Sequence, residues 1–422
     1  MLYPLIGRAQ EIIRRLRHRP PFLITLLTFC GFTTTGRAAT ADDYAGYHYE
    51  DYREDNGRIH VRTHTIASQV ELTPWLTAKG KYVYDGISGA TPTGAPPPAG
   101  SDKVPTAVIN DIRRAYSLEL PMKFGAHGIA PSFSWSRESD YESIGAAATY
   151  SVELNQKNTT LLLGVSRDFD RVIPNRGTYI SASQDKSKQD VLLGVIQLLD
   201  PETVLTANLT FSYVDGYLAD PYKGVNFFIN YLNPFFNPSR LGLKAEKRPD
   251  ERFDQIANVS LSRFFKPLNA SMEAVYRFYH NDYGIFSHTA SLTWFQKIGS
   301  SVVVSPMFRF YNQTAADFYT VRVVGDPAFP NGFDFDAFFA NLGINIPPIG
   351  KAPPHPALYS ADYRLSQMNT YTLGVGLTWR IKDRVSLDAA YKRYMQQGLD
   401  SATSNRAYAD ANVWTLGLRV WF

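Results

Sequence analysis

The sequence predicts an all-β fold, a single antiparallel transmembrane β-barrel of about sixteen strands. Three observations support this. Apolar and polar residues alternate in blocks of roughly ten residues, as in transmembrane β-strands. Short and long connections alternate along the chain, as in outer-membrane barrels with short periplasmic turns and long extracellular loops. The chain also ends in an alternating segment that closes with Phe422. A soluble β-sandwich has no reason to separate its connections by length.

Residues 1–39 have the order of a secretory signal peptide. A basic part contains Arg8, Arg14, Arg15, Arg17 and Arg19. It is followed by the apolar segment 22–29 and then by Ala38 and Ala39, the small residues that precede a cleavage site. An N-terminal amphipathic helix is the alternative interpretation. Removal of this segment leaves residues 40–422 for the predicted barrel domain.

The charge of the chain gives no support to a nucleic-acid partner once the signal segment is removed. The whole chain has a formal net charge of +4, but residues 1–39 carry six arginines and one acid, so the remainder has a net charge of −1. No basic surface is then expected. Cys30 is the only cysteine, which excludes a disulfide framework and any multi-cysteine metal site.

Two segments show the strand pattern most clearly. In 204–213, Leu, Ala, Leu, Phe and Tyr alternate with Thr, Asn, Thr and Ser. In 369–380, Tyr, Leu, Val, Leu and Trp alternate with Thr, Gly, Gly, Thr and Arg. The apolar row of each strand is expected to face lipid, and the polar row is expected to face the lumen.

The strand count is sixteen, with fourteen or eighteen as alternatives. Fifteen strands can be assigned between residues 58 and 422, and bacterial single-chain barrels normally have an even number. Residues 44–54 supply the additional first strand, although they are polar, and Asn56-Gly57 is a suitable two-residue hairpin turn.

The connections fall into two classes. Short turns are predicted at 72–75, 155–158, 200–202, 265–268, 297–300 and 382–384. Long loops are predicted at 89–110, 171–187, 216–249, 313–361 and 397–410. Two long loops are unusually apolar, at 225–236 and 333–343, where several phenylalanines occur. A lid or plug at the barrel mouth is the ordinary explanation, and an apolar ligand or partner is the alternative.

The last strand predicts a partner. Trp414, Leu416, Leu418, Val420 and Phe422 lie on one face, and this aromatic C-terminus resembles the signal that the barrel-assembly machinery reads. The lipids and lipopolysaccharide of the outer membrane are the other expected partners.

A sixteen-stranded barrel is wide enough for an aqueous channel unless a loop or plug fills it. By alternation, the charged residues expected in its lumen are Arg62, Lys79, Lys81, Arg113, Glu119, Glu153, Glu273, Arg277, Arg309, Asp388, Lys392 and Arg419. Eight of these are bases and four are acids, which favours a mild preference for anions. Pairing of the charges across strands would remove that preference.

No catalytic, cofactor-binding or metal-binding motif is found, so we expect no enzyme activity. Asp140, Glu142 and Asp282 lie near predicted loop tips. Such carboxylates suit an outer-membrane protease, a divalent ion that bridges lipopolysaccharide, or simple exposure to solvent.

Six segments resemble the bacterial family designated domain of unknown function 3570. They are 84–94, 138–143, 216–223, 276–289, 315–319 and 359–366. The resemblance implies an outer-membrane barrel and gives no substrate. Because these segments lie at strand ends and loops, they predict a polar network at the outer mouth. It would contain Asp85, Ser88, Arg114, Asp140, Tyr141, Asp220, Tyr222, His288, Asp317 and Asp362, together with the lumen candidates Arg113 and Arg277.

The leading functional hypothesis is a channel or transporter for small solutes, with a lumen narrowed by loops 216–249 and 313–361. A non-conducting scaffold or surface protein that serves a periplasmic partner is the alternative. An outer-membrane enzyme is a third class.

Overall fold

The computed structural model describes residues 43–98, 100–228, 242–325, 329–381 and 384–422. The predicted signal segment 1–39 lies outside these residues, as does most of the apolar stretch 225–236. Within the described part of the chain, no helix is long and apolar enough to cross a membrane.

A single large sheet dominates the fold. Its strands, in chain order, are β1 (Tyr44–Glu54), β2 (His60–Thr73), β3 (Leu76–Pro92), β4 (Thr106–Glu119), β5 (Met122–Phe124), β6 (His127–Arg137), β7 (Tyr141–Leu154), β8 (Thr159–Val172), β9 (Gln184–Asp200) and β10 (Thr203–Gly216), and after the short loop strands β11 (Gly224–Phe228) and β12 (Gly242–Ala245), β13 (Glu251–Phe265), β14 (Ala270–Asn281), β15 (Phe286–Ile298) and β16 (Val302–Gln313). The loop strands β17 (Arg322–Val324), β18 (Phe333–Asp334) and β19 (Lys351–Ala352) precede the last three sheet strands, β20 (Met368–Ile381), β21 (Val385–Gly398) and β22 (Ala411–Trp421).

The sheet closes into a sixteen-stranded antiparallel barrel, which confirms the predicted fold. β1 pairs with β2 on one side and with β22 on the other, so the first and last strands join. β4 and β5 both pair with β3 and β6, and together they form one barrel strand that is interrupted at Leu120 and Pro121. Proline cannot donate a backbone hydrogen bond, which explains the interruption.

The polar first strand occupies the predicted residues. β1 covers 44–54, and the chain reverses through Asn56 and Gly57, both of which have positive φ angles of 59° and 66°. Two consecutive left-handed residues are the conformation of a type I′ hairpin turn, and the Asn-Gly pair adopts it with little strain.

The two faces of the barrel wall differ as the alternation predicts. Leu209, Phe211, Leu373 and Val375 are exposed on the outward face, where an apolar membrane would contact them. The residues between them point into the lumen, and residues paired directly across strands share a face. The register of each strand pair therefore assigns every wall residue to one side.

All the long loops lie at one end of the barrel, which we call the mouth. The opposite end carries tight turns, among them Asn155–Lys157 and Lys266–Leu268. Two small sheets form in the loops: β11 pairs with β12 and β17, and β18 pairs with β19. Helix α1 (Phe335–Asn341) begins at Asp334, whose carboxylate accepts a hydrogen bond from the Ala337 amide at 3.0 Å.

Candidate functional site

A folded lid occupies the mouth. We define the lid as β11, β12 and β17 together with residues 359–366. Val225, Phe227, Val323 and Ala361 form its buried core, and the Tyr359 ring packs against Phe227 with centroids 5.1 Å apart. The exposed fraction of the Phe227 side chain is 0%. Two long loops, between β10 and β13 and between β16 and β20, thus combine into one packed unit.

Lys223 attaches the lid to the barrel wall. Its Nζ donates hydrogen bonds to the Thr91 hydroxyl at 3.0 Å and to the Pro92 carbonyl at the end of β3. Only 1% of Lys223 is exposed, and this burial lowers the pKa of its ammonium group. A buried ammonium group is stable only when acceptors surround it, so this contact fixes where the lid lies.

The lid also approaches the wall so closely that a glycine is required. The Gly224 amide donates to the Thr93 carbonyl at 2.8 Å. Gly94 has a φ of +90°, and a β-carbon there would collide with the Gly224 carbonyl oxygen. Glycine is required at position 94 for two reasons: the backbone is left-handed there, and another backbone segment approaches too closely for a β-carbon.

A network of charges joins the two lid loops. Arg248 Nη2 lies 2.7 Å from Glu246 and 2.9 Å from Asp362. Arg364 Nε donates to Asp362 at 2.9 Å, and its Nη2 also contacts Asp220. With Lys223 nearby, three bases balance three acids. Burial alone would raise the pKa of Asp362, but Arg364, Arg248 and Lys223 hold it well below its ordinary value.

Further contacts connect the lid and its loops to other parts of the mouth. Tyr222 donates to Asp140, in the turn between β6 and β7. Tyr319 and Thr403 share a hydrogen bond of 2.5 Å that reaches the loop between β21 and β22. Tyr283 donates to the Pro249 carbonyl at 3.2 Å, at the turn between β14 and β15. The lid is consequently held from several sides of the barrel.

Seven of the predicted mouth residues lie at this end of the barrel, on its inner side or in its loops. Asp85, of which 3% is exposed, accepts a hydrogen bond from Arg113 Nε at 2.6 Å on the inner face. The others make separate contacts: Asp140 with Tyr222, Asp220 and Asp362 with Arg364, Tyr141 with the Lys186 ammonium group over its ring, and Asp317 through its amide with the Tyr283 carbonyl. Arg277 lies lower in the wall.

Four predicted residues lie on the wrong face for their expected role. Arg62 is paired with Asp51, which is itself opposite the outward Trp414, so Arg62 does not line the lumen. Ser88, Arg114 and His288 also face outward, and none joins the mouth network. The physical reason is that strands extend beyond the apolar membrane zone, where water allows polar residues on both faces. Polarity there no longer indicates the face.

The register places the other predicted lumen residues on the inner face, and their pairing is uneven. Between β3 and β9 the charges form ion pairs: Lys79–Glu119 at 3.2 Å, Lys123–Glu153 at 2.8 Å, Arg113–Asp85 at 2.6 Å, Lys186–Asp170 at 3.2 Å and Lys188–Asp190 at 2.9 Å. Lys81, Glu273, Arg277, Arg309, Lys392 and Arg419 have no ion pair with any described residue, and Asp388 accepts a hydrogen bond from Thr378.

The described residues do not fill the lumen below the lid. Near the mouth, the inward residues Ser212 and Asp254 are buried at 1% and 4% exposure. Closer to the middle of their strands, Lys81, Ser134 and Arg309 point inward and are nevertheless exposed. Side chains of a sixteen-stranded wall are too short to fill its centre.

Three carboxylates meet beside the lid. Asp111, Glu138 and Asp140 each offer one oxygen atom, and these atoms lie within 4.8 Å of one another. Burial, and then the neighbouring Asp140, raises the pKa of Glu138 to about 7. Oxygen ligands at this spacing suit a hard divalent cation such as Ca²⁺. A nearby cavity of about 470 Å³ is lined by Ala107–Asp111, Asn175–Gly177 and Tyr222.

The two apolar loop segments, 225–236 and 333–343, differ in how far they are buried. Val225 and Phe227 are in the lid core, whereas the rest of that stretch from 229 lies outside the described residues. In the other loop, Phe333 packs with neighbouring rings beside α1. Phe338 and Leu342 are 45% and 57% exposed, so this loop is only partly covered.

The sequence did not point to several of the charged residues that hold the lid in place. Lys223, Glu246, Arg248 and Arg364 were not expected there, because nothing in a single sequence marks a loop lysine or arginine as buried. A weak signal was present, since Glu246 and Arg248 flank Lys247, and Asp362 and Arg364 flank Tyr363. Such opposite charges two residues apart occur in both lid loops.

Solved structures with a similar fold are outer-membrane proteins. The siderophore receptor PirA from Pseudomonas aeruginosa is 11% identical, with a TM-score of 0.42, and the match covers 90% of this chain and 62% of the receptor. OmpT with loop L8 deleted, an outer membrane protein of Vibrio cholerae, is 10% identical, with a TM-score of 0.41, over 92% and 100% of the two chains. A bacterial polysaccharide outer membrane secretin is 8% identical, with a TM-score of 0.44, over 90% and 99%. At identities of 8–11% the similarity concerns the fold alone.

No curated protein has a significant match to the sequence. The family described as "Protein of unknown function (DUF3570)" matches over residues 31–127, 99–184 and 176–415, which together cover most of the chain. This agrees with the resemblance of the six sequence segments. The chain belongs to the DUF3570 family.

Proposed function

We propose that this chain is an outer-membrane channel or transporter through which small solutes diffuse passively. The observation that supports this most is the contrast between a packed lid at the mouth and exposed inward side chains below it, such as Ser134 and Arg309. In this proposal the loops 216–249 and 313–361 narrow the lumen, and no catalytic step occurs.

The proposal includes the route to the membrane. Residues 1–39 direct export, and the last strand, with Trp414 to Val420 on its outward face and Phe422 at its end, serves the assembly machinery. The long-loop end then faces the outside, where lipopolysaccharide surrounds it.

Swelling of proteoliposomes tests passive diffusion directly. Liposomes that contain the refolded protein are diluted into an iso-osmotic pentose or an iso-osmotic trisaccharide, with heat-denatured protein as the control. We expect swelling in the pentose and slower swelling in the trisaccharide, because a narrowed lumen selects by size. Heat-modifiable gel mobility establishes that the barrel is folded. Absence of swelling with a folded barrel would refute the channel.

A non-conducting partner protein is the second candidate. It is favoured by the exposed Phe338 and Leu342 of the α1 loop, which lie outside the lid. Exposed apolar groups that are clustered mark interaction surfaces. A folded barrel that fails to swell liposomes would support this candidate.

A further inference from the structure

Three bases lie at the same depth on one side of the lumen. Arg277 lies seven residues after Ala270, Arg309 seven after Val302, and Lys392 seven after Val385, each counted from the short-turn end of its strand. We call these three residues the basic arc. Their strands, β14, β16 and β21, are separated by β15 and β20. Arg277 and Arg309 pair with residues two apart on β15, and Arg309 and Lys392 pair with residues two apart on β20, so neighbouring bases are roughly 12 Å apart along the wall.

The wall between the bases is small and uncharged. Ser291 is paired with Arg309, and Gly374 is paired with Lys392. A β-carbon at Gly374 would lie 2.9 Å from Met307 Cγ and 3.0 Å from Lys392 Cγ, so the glycine makes room for both side chains. On the other side of Arg277, Asn258 is its partner on β13. These residues leave the three charged groups accessible from the lumen.

No described acid neutralises the arc. None of the three bases makes an ion pair with a described residue, and the Arg277 guanidinium lies over the Tyr279 ring, 5.6 Å from its centre. The acids of the same strands, Glu273 and Asp388, are four residues nearer the short-turn end, about 13 Å away along the strand. Most of the predicted lumen charges between β3 and β9 are instead paired, with Lys81 as the exception.

We propose that the basic arc is a site for small anions, such as phosphate or carboxylate solutes, and that it makes the channel anion-selective. This rests on the proposed function. Like charges held close together without partners are unfavourable, and an anion in the lumen relieves the repulsion. Guanidinium and ammonium groups are also the usual protein donors to phosphate and carboxylate oxygens.

Reversal potentials in planar bilayers test the selectivity. The intact chain is compared with the triple variant Arg277→Gln, Arg309→Gln, Lys392→Gln under a potassium chloride gradient. The matched control is Arg62→Gln, Arg114→Gln, Arg137→Gln, which removes three bases from the outward face. A charge about 7 Å from a permeating ion in water interacts with it by about RT, and screening in about 0.1 M salt roughly halves this energy. Because the base attracts chloride and repels potassium, the two effects add, and each arc base should contribute roughly twofold to threefold to the chloride-to-potassium permeability ratio.

The expected result is a chloride preference in the intact chain and in the control, and its loss in the arc variant. An unchanged ratio in the arc variant, or an equal change in both variants, overturns the proposal. Heat-modifiable gel mobility establishes folding in each case.

Anion binding separates this proposal from the channel itself. If none of the three proteins conducts, the channel proposal fails. Calorimetric titration of inorganic pyrophosphate into each detergent-solubilised protein then tests whether the basic arc binds anions. Binding that weakens about tenfold or more only in the arc variant supports the anion site. Equal heats in all three proteins, or none in the intact chain, overturn it.

Discussion

Arg248 Nη2 lies 2.9 Å from the Asp362 carboxylate, and this contact joins two loops that are more than a hundred residues apart in the chain. The exposed fraction of the Asp362 side chain is 1% and that of Arg248 is 11%. Ion pairs with this degree of burial are costly to break, because removal of one partner leaves an uncompensated charge. The two loops are therefore held together as one packed unit, and its attachments can be tested one at a time.

Asp362→Asn should loosen the lid. The substitution leaves Arg248 and Arg364 without their shared carboxylate, which costs about 3–5 kcal/mol for a buried pair. Hydrogen exchange at 217–228 and 359–366 should become faster by two orders of magnitude or more. The control is Asp102→Asn, which breaks the ion pair between Asp102 and Arg406. The Asp102 side chain is 65% exposed, so this pair is a surface pair. Unchanged exchange in the Asp362 variant would show that the network does not hold the lid.

Lys223→Met should detach the lid from β3 while it preserves most of the side-chain volume. The Thr91 hydroxyl and the Pro92 carbonyl lose a charged donor, and the local unfolding free energy of the lid falls by about 1–3 kcal/mol. Hydrogen exchange at Gly224 measures the loss. Lys247→Met is the matched control, since Lys247 is exposed in the same loop. Equal effects of the two substitutions would contradict the account.

Gly94→Ala should destabilise the lid more than Gly100→Ala. Both glycines have positive φ angles, 90° and 76°, so alanine is strained at both. A β-carbon at Gly100 meets no atom within 4 Å, whereas one at Gly94 collides with the Gly224 carbonyl oxygen. The difference between the two variants isolates the collision, and protease sensitivity of the lid loops reports it. Equal sensitivity would argue against a close approach at Gly94.

The carboxylate cluster should make the mouth sensitive to pH. The pKa of Glu138 is raised from 4.5 to about 7, so the folded state binds more protons than the unfolded state between these values. Stability therefore falls as pH rises from 4.5 to about 7, by roughly 1–2 kcal/mol after allowance for solvent screening. Hydrogen exchange around 138–140 measures this. Glu138→Gln should remove most of the dependence, with a smaller part left by Asp140, whose pKa burial also raises. Glu142→Gln should retain the full dependence, and a larger loss in the Glu142 variant would show that another group titrates.

The alternation of side chains predicted the barrel because most wall strands follow one physical rule, apolar toward the membrane and polar toward the lumen. Even the polar first strand could be located, since Asn56-Gly57 marks its turn. The rule failed at Arg62, where the strand rises beyond the apolar zone. Arg114 and His288 were instead expected in the mouth network because the matching segments lie at strand ends, and the register turns both outward. The lid could not be predicted, because the burial of Lys223 and Arg248 depends on contacts between distant loops. Likewise, only the strand register shows that Arg277 and Arg309 lie at one depth without acids beside them.

Single-channel conductance tests most directly whether the lid narrows an open lumen. Intact protein, Asp362→Asn and Asp102→Asn are measured in the same planar bilayer. We expect a small conductance for the intact protein and for Asp102→Asn, and a larger conductance with longer openings for Asp362→Asn. Conductance of the Asp362 variant equal to that of the intact protein, or silence of all three folded proteins, would contradict this expectation.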